Sequence, residues 1–187
     1  MPTDERRRRR LEIVAAGARL AAAGLILPGE GNLSARVGGS RFLITPAGTD
    51  KGRLDAADLI ELTVEGDETP SAASMELGMH RLLYRSHPDL GAVVHAHPPR
   101  VVAASLRGWT PDPDLLEEVR EIVGPVGAVH TLAAGSDALA EAVADALSAR
   151  CACVLLAHGA VATGPSVGVA VRRMVLLERL AEVSASS

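Results

Sequence analysis

Two stretches of the chain are apolar without interruption, and both run into histidine. Gly91-Ala92-Val93-Val94 leads to His95 and His97, and residues 151–157 lead to His158. Unbroken apolar runs of this length read as strands buried on both faces. Before them, Leu11, Ile13, Val14, Ala18 and Leu20 recur at helical spacing, and Gly24 is a natural stop for that helix. A glycine-rich turn at Gly29 to Gly31 precedes short strands at 33–37 and 41–45, split by the hairpin signal Gly38-Gly39. Residues 55–58 suggest one helical turn and 59–64 a strand. Met75, Leu77, Met79, Leu82 and Leu83 predict a helix over 74–85. Strand 91–97 follows, then helices at 99–106 and 115–123 and a strand at 126–131. Gly135-Ser136-Asp137 opens an alanine-rich helix reaching 149, and a last helix runs over 167–183. Helices and strands interleave throughout. With two strands lacking polar alternation, the pattern predicts an α/β protein whose sheet is covered by helices on both faces, the usual setting of parallel strands. No repeat or linker divides the chain, so residues 1–187 read as one domain.

Composition narrows the classes. The 187 residues are 48% hydrophobic and 22% charged, an ordinary globular balance, and the net charge of −4 gives no general reason to bind nucleic acid. Aromatics are limited to Phe42, Tyr84 and Trp109, too few for a base-stacking surface. The basic block Arg6 to Arg10 reads as the solvated start of the first helix, although cations there oppose the helix dipole. No apolar run approaches the ~20 residues that cross a bilayer, and no signal peptide precedes the first helix, so a cytoplasmic protein without a membrane partner is expected. Cys151 and Cys153, two apart in an apolar stretch, read as reduced thiols.

Chemistry concentrates at the ends of the apolar strands. His95 and His97 point to the same face of their strand, about 7 Å apart along it, and both can reach one ion. His158 ends another buried strand and is a third candidate. Three neutral imidazoles with a position left open suit a catalytic zinc. The alternative is a pair of histidines bonded to backbone. His80, on a helix, and His87, in a turn beside Pro88, suit ligation less well, as does His130. Glu76 stands just before the histidine strand. It is a candidate general acid or base, or else a carboxylate that complements a helix start capped by Ser74.

Taken in order, "GEGNLSARV" (29–37), "FLITPAGTDKGRL" (42–54), "SMELGMHRLLYRSHPDLGAVVHAHPP" (74–99), "LLAHGAVATG" (155–164) and "VAVRRMVLLERLAEV" (169–183) resemble the class II aldolase/adducin family across nearly the whole chain. The resemblance implies a three-layer α/β/α sandwich with a mixed, largely antiparallel central sheet. It implies that His95, His97 and His158 bind a divalent metal, zinc ahead of manganese, cobalt or iron, and that Glu76 is the acid/base. Gly31, Asn32, Ala47, Gly48, Ser74 and Met75 correspond to the phosphate pocket. His130 stands near where the aldolases often carry a tyrosine and is a candidate proton relay. A metal gripping a ketone oxygen and its neighbouring hydroxyl stabilises an enediolate, which implies retro-aldol cleavage of a hydroxy-ketone or sugar phosphate. Decarboxylation of a β-keto acid and dehydration are the enzymatic alternatives, and an adducin-like assembly domain is the non-enzymatic one. The resemblance further implies a small-molecule substrate and a homo-oligomer, a tetramer with sites at subunit interfaces. Ala47 and Met75 replace hydroxyl residues frequent in the family, which implies weaker dependence on a substrate phosphate.

Overall fold

The computed structural model describes residues 2–185. Thirteen regular elements follow the interleaved pattern: α1 (Pro2–Ala22), β1 (Asn32–Arg36), β2 (Arg41–Ile44), β3 (Ile60–Thr63), α2 (Leu77–Ser86), β4 (Ala92–Ala96), α3 (Pro99–Ser105), α4 (Glu117–Ile122), β5 (Val126–Val129), α5 (Asp137–Ala146), β6 (Ala152–Leu155), β7 (Gly159–Gly164) and α6 (Val167–Ser184). The strands form one sheet in the order β3-β2-β1-β4-β7-β6-β5. Only β5 and β6 pair parallel, and the other five pairings are antiparallel. The parallel arrangement suggested by the apolar runs is therefore corrected, while the mixed, largely antiparallel sheet stands. The apolar runs do report burial on both faces. What they cannot report is direction, which the unforeseen strand β7 reverses on both sides of itself.

Alternation divides the core in two. Leu33, Leu43, Val94, Ala96, Val154 and Ala160 pack beneath α1, α3, α4 and α6, against Ile13, Leu20, Val101, Val119, Met174 and Leu177. Phe42, Ile44, Val93, Cys153 and Val161 pack on the opposite face, beneath α2 and α5, against Leu77, Leu83, Leu139 and Val143. These are the three layers. Cys151 and Cys153 are free thiols.

Local chemistry explains where element ends differ from expectation. Residues 55–58 form a turn and not a helical turn, because the Asp55 carboxylate accepts from Ala57 N–H. The short helical turn falls instead at Lys51–Arg53, capped by Asp50. Helix α2 starts at Leu77, three residues later than predicted, and Ser74 does not cap it. The Ser74 hydroxyl accepts from Glu76 N–H in the preceding turn, and Glu76, at the cap position, makes no side-chain capping bond. Strand β6 stops at Leu155, so His158 lies in the tight turn to β7, where Ala157 takes a positive φ of 60°. Part of the basic block is engaged internally. Arg6 and Arg9 pair with Glu61 and Glu12, and Arg10 donates to the carbonyls of Ala56 and Leu59. The Arg6 and Arg10 contacts tie α1 to the β3 edge, while Arg7 and Arg8 stay exposed, as a solvated helix start requires. Among the described residues, no helix is long and apolar enough to cross a membrane.

Candidate metal centre

Three adjacent pieces of backbone converge at one end of the sheet. Strand β1 pairs with β4 so that Asn32 faces His95, and β4 pairs with β7 so that His95 faces Val161. The β6–β7 turn then brings His158 beside the other two histidines. The three ring centroids form a near-equilateral set, each pair 4.9 Å apart. One ligand-capable atom from each ring lies within 4.8 Å of the others, a group able to hold a metal ion.

The second layer of contacts sets which nitrogen each ring presents. His95 Nδ1 donates to the Ala160 carbonyl at 3.0 Å, which leaves the Nε2 lone pair free. That Nε2 lies 3.1 Å from His97 Nε2, and His97 Nδ1 is 3.4 Å from Glu30 Oε2. Burial pushes the His95 pKa down to about 4, against the pull of Glu76, and burial likewise lowers that of His158. Both rings are therefore neutral near pH 7, the form a metal requires. The Glu76 carboxylate sits 3.2 Å from His95 Nε2 and accepts from Asn32 Nδ2 at 2.8 Å. Burial alone would raise its pKa. The imidazoles and the Asn32 bond outweigh that and hold it below the ordinary carboxylate range. Its other oxygen, Oε1, is buried without a hydrogen-bond partner. A buried carboxylate with one orphaned oxygen, beside nitrogen lone pairs, fits a cation and its ligand better than it fits a closed polar core.

Two glycines make this convergence possible. A Cβ at Gly31 would lie 2.7 Å from the His95 carbonyl oxygen, and its φ of +61° is left-handed. A Cβ at Gly159 would lie 2.4 Å from the Ala96 carbonyl oxygen and 2.9 Å from His97 Cδ2. The glycine after His158 is what lets β7 close against the histidine strand.

The candidate pocket residues come together as well. Gly31, Asn32, Ala47, Gly48, Ser74, Met75 and Glu76 line a cavity of about 180 Å³ with His95, His97 and His158. Within it, Ala47 N–H is already committed to the Ala72 carbonyl, and the Met75 side chain is 74% exposed at the rim. Glu30 and Lys51, which lie inside the motifs at 29–37 and 42–54, and Ala134 line the same cavity. Lys51 is 2% exposed and bonds to the Thr49 carbonyl, and burial lowers its pKa. The clue to Lys51 and Glu30 lay in the motifs themselves, where each sits within three residues of a glycine of the pocket. His130 is exposed and lines a neighbouring cavity of about 250 Å³, which touches the first through Ala134 and His158. His87 lies at the far end of α2, beside a different cavity.

A family model described as the class II aldolase and adducin N-terminal domain matches residues 11–185. The chain belongs to that family. Its structure resembles that of L-fuculose-1-phosphate aldolase from Thermus thermophilus, with a TM-score of 0.86, 35% identity, and coverage of 96% of this chain and 93% of that one. Among curated relatives, the 5-methylthioribulose-1-phosphate/5-deoxyribulose-1-phosphate aldolase of Rhodospirillum rubrum is 35% identical over 156 residues, 81% of this chain and 69% of the relative. A methylthioribulose-1-phosphate dehydratase of Acidiphilium cryptum is 41% identical over 104 residues, 54% of this chain. That match spans about half the relative's length, 48%.

Proposed function

We propose that the protein is a zinc-dependent lyase that breaks a carbon–carbon bond of a hydroxy-ketone or sugar phosphate by retro-aldol chemistry. The observation that carries this is a buried Glu76 whose Oε2 lies 3.2 Å from His95 Nε2, beside three converging imidazoles, and whose Oε1 has no hydrogen-bond partner. His95, His97 and His158 are the ligands, and a divalent ion held there supplies Lewis-acid polarisation of substrate oxygens. The chain's own groups do the rest. As the bond breaks, its electron pair stays with the ketone-bearing fragment, and the hydroxyl of the other fragment gives its proton to the Glu76 carboxylate and becomes a carbonyl. Glu76 carries a proton to the carbon left electron-rich. Asn32 donates to Oε2 and holds the carboxylate beside His95. Gly31, Asn32, Gly48 and Ser74 cradle the anionic end of the substrate, with Lys51 adding charge from the cavity wall. Family resemblance and the exposed Met75 and Leu132 near the two cavities support a homo-oligomer, a tetramer, that covers the mouth of the site.

Decarboxylation of a β-keto acid is the second reading. Among the residues lining the cavity only Ser74 carries a hydroxyl, and decarboxylation needs no acid for an aldehyde oxygen.

Elemental analysis of untagged protein tests the metal: about one zinc per chain is expected, and undiminished metal in a His95→Ala, His97→Ala double variant overturns the ligand set. Glu76→Gln is expected to keep the metal and lose about 10²-fold in turnover, the scale of general acid–base catalysis. Near wild-type turnover in that variant removes Glu76 from the chemistry. A panel of ketose phosphates, free ketoses and β-keto acids separates cleavage from decarboxylation.

A further inference from the structure

Behind Glu76 lies a line of buried polar groups that the cleavage step does not use. His80 and Tyr84, four residues apart, share one face of α2, with Glu76 four residues before His80 at the cap, while Asn32 and Ser34, two apart, share one face of β1. The two faces interlock. Tyr84 Oη lies 2.9 Å from Ser34 Oγ, which lies 2.6 Å from His80 Nδ1. His80 Nε2 meets Asn32 Oδ1, and Asn32 Nδ2 meets Glu76 Oε2. All five side chains are buried, His80 completely.

Hydrogen-bond chemistry gives this line a direction. A carboxylate only accepts, so the Asn32 amide must turn its N–H to Glu76 and its oxygen to His80. That oxygen only accepts, so His80 must carry its proton on Nε2. Nδ1 is then bare and takes the Ser34 hydroxyl proton, and Ser34 Oγ takes that of Tyr84. Burial pushes the His80 pKa down to about 3, which keeps the ring neutral in this arrangement. Apolar residues would fill the seam between β1 and α2 without the cost of burying five polar groups. The line instead terminates on Glu76, whose second oxygen is buried without a hydrogen-bond partner.

We propose that His80 is a positioning residue: as its Nε2–H tautomer it locks the Asn32 amide, and the amide fixes the Glu76 carboxylate with Oε2 against His95. Ser34 selects the tautomer. The inference rests on the role given to Glu76, and its test separates the two.

Histidine ¹⁵N-labelled, zinc-loaded protein is used for long-range ¹H–¹⁵N correlation at neutral pH. His80 is expected to show a protonated Nε2 and a bare Nδ1, and the opposite tautomer overturns the proposal. In Ser34→Ala the tautomers are expected to mix. With the substrate found by the panel above, kcat is expected to fall about tenfold, the rate equivalent of one lost hydrogen bond, with KM and zinc content unchanged. His80→Gln, which can donate to Asn32 and accept from Ser34, is expected to recover most of the turnover that His80→Leu loses. Wild-type kcat in Ser34→Ala or in a folded His80→Leu overturns the proposal, and if His80→Leu does not fold, Ser34→Ala and the tautomer decide. Full activity in Glu76→Gln removes the functional reading, while the tautomer measurement still decides whether the line is ordered as drawn.

Discussion

Neutral burial of His80 makes the fold acid-sensitive by an amount that can be worked out. Burial lowers its pKa from 6.5 to about 3 in the folded chain, while the unfolded chain keeps the ordinary value. Between those two values the unfolded state binds one more proton than the folded state, so stability falls as pH falls, by about 1.4 kcal/mol per pH unit. The loss begins near the unfolded value and is complete only below the folded one. From pH 7 to pH 5 about 1.5 units of that window are crossed, or about 2 kcal/mol. Other groups titrate over the same range, notably His95, whose pKa is lowered to about 4 by burial. The comparison with His80→Gln removes them, because that variant keeps every other group. Urea unfolding of both proteins in chelator, at pH 7 and pH 5, is the assay. Wild type is expected to lose about 2 kcal/mol more than His80→Gln over that interval. Equal losses would mean that His80 is hydrated or charged in the folded protein, and the buried neutral imidazole would have to be abandoned.

Other outcomes follow from the same geometry. Gly159→Ala is expected to cost about 1–3 kcal/mol by overpacking and to lower zinc occupancy, since the added methyl meets the Ala96 carbonyl and the His97 ring. Unchanged stability and zinc content would show that the turn has room to spare. Ala47→Ser with Met75→Ser is expected to raise the preference for a phosphorylated over a free ketose in kcat/KM. A strong wild-type preference left untouched by both hydroxyls would refute the reading of the pocket. Light scattering is expected to give a tetramer, and an active monomer at micromolar concentration removes the covered mouth.

Much of the frame was legible because period and punctuation agree. The stripe from Leu11 to Leu20 became α1, the glycine pair at 38 and 39 became a hairpin turn, and Ser136 caps α5 by accepting from Leu139 N–H. Boundaries moved where a side chain competed with the backbone, as Asp55 did for Ala57 N–H and Ser74 for Glu76 N–H. Neither contest has a periodic signature. The Arg6 to Arg10 block illustrates a different limit. It reads as a solvated helix start, yet Arg6 and Arg10 are held by Glu61 and by two carbonyls more than forty residues away, which nothing local signals.

The candidate site divides along the same line. His95 and His97 were readable as a pair because strand alternation puts them on one face, and that inference needs no tertiary information. His158 was a candidate only because it ends another apolar run, and its nearness to Glu76 and His95 was not readable, since nothing local brings residues 76, 95 and 158 together. The missing link is β7. Its sequence, Gly-Ala-Val-Ala-Thr-Gly, is short and small and directly follows the histidine, so it reads as the tail of the preceding apolar run and not as a strand of its own. Yet β7 lies between β4 and β6, and one of its carbonyls, that of Ala160, holds His95 in the tautomer with Nε2 free. The same six residues thus turn the sheet antiparallel, carry His158 to the site and set the chemistry of His95. Small side chains are what this position demands, because residue 159 must pass within van der Waals contact of the strand that bears the other two histidines. The signal for the site's assembly was therefore the glycine after His158, a residue with no chemistry of its own.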